Sequence, residues 1–171
     1  MDKDLTHLEL ERTRMEFRRL VAGADRAALR RPTNGTRWNN RQLLFHMLLG
    51  YLILRALRCL VRVFGHLPDG VSRTYAQLLN AGTKPFDTVN FLGSWAGGTA
   101  MSPQRMVKMF DHVTDKLHRR LEAETEEDLA RGMHYPTRWD PFFNDFMTLA
   151  DVYHFPTQHF DFHRHQLTLD D

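Results

Sequence analysis

The chain has 171 residues, 42% of them hydrophobic and 26% charged, the balance of one globular domain spanning residues 1–171. Lys and Arg number 23 against 21 Asp and Glu, and a net charge of +2 lacks the dense basic face that nucleic-acid binding needs. A single cysteine, Cys59, excludes an internal disulfide framework and zinc-finger schemes.

The N-terminus, Met1-Asp2-Lys3-Asp4-Leu5, has no basic segment leading into an apolar one, so a cytosolic protein is expected. Helical periodicity first runs from Lys3 to Ala22, where Leu10, Phe17 and Val21 form a stripe beside Leu20. Gly23 stops it, and Pro32, Asn34 and Gly35 mark a loop. A second helix is expected from Asn39 or Asn40, either of which can cap it, to Phe64. It is apolar over most of its circumference and reads as the central helix. Its apolar run, Leu43 to Leu54, is broken by His46 and is short of the roughly 20 residues that span a bilayer. Arg55, Arg58 and Arg62 read as a solvated stripe, and Cys59 as a buried, inert thiol.

From His66 to Met101 the pattern loosens among Pro68, Gly70, Gly82, Pro85, Gly93, Gly97 and Gly98. This predicts an elaborated loop with a short helix over Ser72–Asn80, of the kind that covers a site. Ser102-Pro103 opens a third long helix with the stripe Met106, Met109, Phe110, Val113, Leu117 and Leu121. A last helix is expected from between Asn144 and Thr148 to about Leu167, kinked or restarted at Pro156. Strand signals are weak, so the fold class is all-α, a four-helix bundle whose core can host a site.

Ten histidines are the unusual feature of the composition. His159 and His163, four residues apart on the last helix, share one face. His46 lies mid-way along the most apolar helix and supplies a third imidazole. Three imidazoles with open positions beside them are a catalytic metal pattern, suited to zinc, nickel or ferrous iron. Spacing alone leaves a set using His154 or His165 open. His7, His66, His112, His118 and His134 carry no partner signal and read as surface or loop residues.

The segment Trp38-Asn39-Asn40-Arg41-Gln42-Leu43-Leu44-Phe45-His46 resembles the tryptophan-to-histidine motif of the DinB-like superfamily. The stretch from Tyr153 through Pro156, His159 and His163 to Gln166-Leu167 resembles that family's C-terminal motif. The resemblance implies an up-down-down-up bundle, often a homodimer, with His46, His159 and His163 as the metal triad. Its characterised members are mostly thiol-dependent transferases using mycothiol, bacillithiol, glutathione or ergothioneine. His66–Met101 and Trp139-Asp140-Pro141-Phe142-Phe143 have no counterpart in the family pattern.

The chemistry then expected is a metal-bound thiolate attacking a small electrophile, since a cation stabilises thiolate at neutral pH. A hydrolase using metal-bound water needs the same geometry. A non-catalytic metal-binding or interaction bundle is the third class. Gln166, three residues after His163, is placed to bond a ligand or contact substrate. Trp38 reads as a packing residue or a pocket wall, and Arg41 as a surface residue or an anion partner. Asp151 and Asp161 are weaker candidates for orienting a ligand, and Tyr153 reads as core. The partner is a small molecule, with neither nucleic acid nor membrane.

Overall fold

The computed structural model describes residues 2–169. In chain order these form α1 (Lys3–Gly23), α2 (Asn40–Phe64), α3 (Asp69–Ala81), α4 (Thr83–Ala100), α5 (Pro103–Ala123), α6 (Glu126–Ala130), β1 (Gly132–His134), β2 (Phe146–Thr148) and α7 (Leu149–Arg164). The described residues are thus mainly helical.

The long helices begin where side chains satisfy their free N–H groups. Asp2 accepts from Leu5 N at α1, and Ser102 from Arg105 N at α5, where Pro103 needs no partner. Asn39 and Gln42 cap each other at α2, as do Thr148 and Asp151 at α7. Asn39 is therefore the cap. Asn40 is buried and bonds Thr168 and the Ala28 carbonyl, tying the chain's end to the start of α2.

The apolar stripes of α1, α2, α5 and α7 meet in one core. Phe110 of α5 lies 4.4 Å from Phe17 of α1, 4.4 Å from Tyr51 of α2 and 6.0 Å from Phe160 of α7, measured between ring centroids. Each of these four helices thus contributes one ring. With a mean hydropathy of 1.7 over its most apolar window, α2 is long and apolar enough to cross a membrane. Yet 56% of that window is buried against the other elements, as a central core helix requires.

Residues 66–101 are not a loop. α3 and α4 fill the segment, separated by Gly82 alone. Pro85 lies in the first turn of α4, where no backbone N–H is required. A Cβ on Gly98 would lie 2.5 Å from Gln42 Cα, so the missing side chain lets α4 pack directly on α2. Tertiary contact here overrides the low helix propensity of glycine. β1 and β2 pair antiparallel, Met133 opposite Met147, although strand signals are weak along the chain. α7 runs through Pro156 without a restart.

Two readings on α2 are corrected. Cys59 is exposed, because the buried face at that level belongs to Leu57, Arg58 and Val61. Arg58 is not solvated. It is buried and bonds Glu124, whose other carboxylate oxygen accepts from Arg62 at 2.8 Å and whose first also accepts from the Tyr153 hydroxyl at 3.2 Å. Burial pushes the Glu124 carboxyl up, and the bonds from Arg58 and Arg62 outweigh it, holding it below its ordinary value. Removing one partner of a buried pair strands the other charge. Glu124→Ala is expected to lose about 3–5 kcal/mol in chemical denaturation. A loss under about 1 kcal/mol would place this pair with ordinary surface bridges.

Candidate metal centre

His46 projects from α2 toward α7, where His159 and His163 stand one turn apart. The Nε2 atom of His46 lies 3.1 Å from His163 Nε2 and 3.1 Å from His159 Nε2. The three ligand atoms all fall within 4.8 Å of one another. His46 and His159 are buried, and His163 is partly so.

The hydrogen-bond partners constrain which ring nitrogens carry protons. His163 Nδ1 donates to Gln166 Oε1 at 2.6 Å, which leaves its Nε2 a bare acceptor. His46 Nδ1 is 3.0 Å from Ser94 Oγ, and with Nδ1 donating there its Nε2 is bare as well. His159 has one proton to place. Its Nδ1 is buried without a partner, and a proton there would be orphaned. On Nε2 the proton would satisfy one facing nitrogen and leave the other unmet. One divalent cation would take all three facing lone pairs, with the His159 proton then on Nδ1, which has no partner in this structure.

Burial also keeps the rings uncharged. Desolvation, with repulsion from His163, lowers His46 to about 3. Desolvation and its two neighbours drive His159 well below its ordinary value. His163 is lowered by burial against the opposing bond to Gln166. Neutral imidazole is the metal-binding form, so uptake near neutral pH need not displace protons.

His46 and His159 of the triad line an apolar chamber of about 460 Å³. Ile53, Leu57 and Leu60 of α2, Tyr75 and Leu79 of α3, and Phe86 and Val89 of α4 form much of its wall. The connection between β1 and β2 closes it with Tyr135, Trp139 and Phe143. None of its lining residues is Lys or Arg, and its one carboxylate is Asp140. Burial raises Asp140 to about 6, against a bond from the Phe142 N–H. Both segments without a family counterpart are therefore chamber wall.

The family model described as the DinB superfamily matches residues 9–167. The chain belongs to the DinB superfamily. No curated protein and no solved structure matches it.

Within this DinB superfamily chain the other sequence candidates divide. Gln166 holds the His163 ring, as described. Trp38 stacks on His46 at 4.5 Å between centroids and donates from its indole to Phe91 O at 3.3 Å, so it covers the triad. Arg41 bonds the Thr99 and Met101 carbonyls at the end of α4 and is committed to packing. Asp161 pairs with Arg12, Asp151 caps α7, and Tyr153 is buried against Glu124. His154 bonds Glu9 at 2.8 Å and His165 is exposed, so neither joins the triad. Three histidines read as partnerless have partners. His134 is buried between Asp69 at 3.0 Å and Asp145 at 3.1 Å, and His7 meets His118 at 2.5 Å.

Sequence reasoning passed over Ser94, Asp140 and Gly50. A Cβ on Gly50 would lie 2.7 Å from His159 Nδ1, so the bare backbone makes room for that ring. A glycine inside a long apolar helix, one turn after His46, was the available signal. Gly50→Ala is expected to displace His159 and weaken zinc binding at least about tenfold by chelator competition, with helicity kept. Unchanged affinity would show that the ring has another place to go.

The pH dependence follows from the lowered pKa values. The unfolded chain takes up protons on these histidines below about pH 6.5, and the folded chain does so only at lower pH. The histidine contribution to the stability of the metal-free protein is therefore expected to fall as pH drops from about 6.5 toward 4.5, outweighing the opposite contribution of the single carboxyl Asp140, which is raised to about 6. Urea titrations should show this decline, and His46→Gln should flatten it.

Proposed function

We infer that this protein is a metal-dependent enzyme that transfers a low-molecular-weight thiol to a small, largely apolar electrophile. One observation carries the reading: three imidazole nitrogens converge, and two of the rings, His46 and His159, line an apolar chamber of about 460 Å³. His46, His159 and His163 would hold one zinc, nickel or ferrous ion. The cation would supply stabilisation of a thiolate at neutral pH.

The protein's own groups do the rest. Gln166 and Ser94 hold two imidazoles with their Nε2 atoms turned inward. The aromatic wall excludes water and orients an apolar electrophile beside the triad. Sulfur bonds to the electrophilic carbon, the leaving group departs with the bonding electron pair, and the thiol proton passes to solvent. A basic chamber would suit an anionic thiol, and this one has no cationic side chain. The polar body of mycothiol, bacillithiol or a similar thiol then belongs outside it, near the cleft of Arg37, Trp38, Asp87, Asn90 and Phe91.

The chain is taken as a single domain, residues 1–171, in which α1, α2, α5 and α7 follow the up-down-down-up order of the family. A cytoplasmic homodimer acting on small molecules, without nucleic acid or membrane, completes the reading. Exposed Val89, Leu92 and Trp95 on α4 support a subunit interface. Hydrolysis through bound water is the second reading, favoured by the Asp140 carboxylate beside the triad.

Elemental analysis of the purified wild type beside His159→Ala tests the site, and a thiol-consumption screen with apolar electrophiles tests the reaction. About one ion per chain in the wild type, little in the variant, and cation-dependent loss of thiol are expected. Equal metal in both samples would overturn the site. Bound metal with ester or amide cleavage and no thiol loss would move the assignment to a hydrolase.

A further inference from the structure

Asp140 is a largely enclosed carboxylate that the thiol-transfer reading leaves without a task. It lies on the connection between β1 and β2, with only 15% of its side chain exposed. Oδ1 accepts from the Phe142 N–H at 2.9 Å. Oδ2 stands 3.9 Å from His159 Nε2, the nitrogen that faces the triad. Among the described residues no Lys or Arg pairs with it. An anion in an apolar wall without a cation is costly, and the arrangement persists only where something compensates it.

The segment around Asp140 is fastened at both ends. The Trp139 indole donates to Leu79 O at 2.9 Å and stacks on Phe86 with centroids 3.9 Å apart. Arg138 N bonds the Asn80 side chain, and Phe143 N closes a turn onto the Asp140 carbonyl. On the far side Phe142 packs edge-on against Phe162, and Phe143 against Phe155. The carboxylate is thus held in place by α3, α4 and α7 together, where the chamber meets the imidazoles.

Asp140 is not one of the three atoms that converge within 4.8 Å. It stands just beyond them, on the chamber side. A divalent cation held by three neutral imidazoles would keep its full charge inside an apolar cavity, and a fixed carboxylate beside it offsets that charge. We propose that Asp140 is the fourth protein group of the metal centre, accepting a hydrogen bond from the thiol or water on the open side and offsetting the charge of the cation. Asp140 is then a positioning residue that sets the affinity of the site and the orientation of the molecule entering from the chamber. The inference rests on the metal reading of the triad.

The test uses the full chain, freed of metal and titrated with zinc and with cobalt(II) near neutral pH. Wild type, Asp140→Asn and Asp140→Ala are compared by chelator competition and by the visible absorption of cobalt. The expected result is about 10- to 100-fold weaker binding in both variants, with a changed cobalt spectrum in Asp140→Asn. If Asp140→Ala does not fold, the near-isosteric Asp140→Asn carries the comparison. Equal affinity and identical spectra in wild type and Asp140→Asn overturn the proposal and leave the carboxylate to a cationic group of the substrate. Failure of the wild type to bind either ion overturns the triad reading together with it.

Discussion

Three imidazoles, with His46 Nε2 3.1 Å from the Nε2 atoms of both His159 and His163, in surroundings that disfavour charge, form an arrangement that leaves lone pairs facing one another. Protonation would relieve the facing lone pairs, but burial opposes it. Separation would relieve them too, but the rings are braced. Trp38 lies over His46, Gln166 holds His163, and the absent side chain of Gly50 admits His159. The local cost falls on a scaffold with a separate apolar core, which includes the aromatic cluster around Phe110. That division of labour is common at functional sites, where local rules are broken and the surrounding packing compensates.

The chamber gives the site its character. Its wall draws on α2, α3, α4 and the β1–β2 connection, whereas α1 and α5 lie outside it. α1 and α5 pack on each other and on the remaining long helices, with many ion pairs at their exposed edges, and serve the fold alone. The apolar lining selects what enters by size and hydrophobicity, with few polar groups to orient it. Asn90 and Asp140 are among those few, at opposite sides of the aromatic wall in sequence but brought to one cavity.

Much of this was legible from residue order. Helices α1, α2, α5 and α7, the cap at Ser102, the narrowing of the α2 cap to Asn39 or Asn40, and the i, i+4 pair His159 and His163 each depend on residues within one or two turns, where sequence spacing maps directly onto geometry. The resemblance to the DinB-like superfamily rests on two such local motifs, and the family model over residues 9–167 shows the membership. The segment from His66 to Met101 was misread for a related reason. Local propensity marks Gly97 and Gly98 as breakers, whereas their lack of side chains is what lets α4 close on Phe45 and Gln42 of α2.

Arg58, Cys59 and His134 follow the same logic. Helical spacing groups Arg58 with Arg55 and Arg62, and only the arrival of Glu124 from the end of α5 makes burial of its charge acceptable. His134 is buried because Asp69 and Asp145 come from two other elements to meet both ring nitrogens. Sequence by itself determined the elements with local periodicity and the kinds of chemistry their side chains carry. Tertiary structure decided which groups share a cavity, which charges find partners, and that Asp140 faces the histidines. The physical reason is distance along the chain: a cap or a helical face is set by neighbours, whereas desolvation and pairing are set by whatever the fold brings from far away.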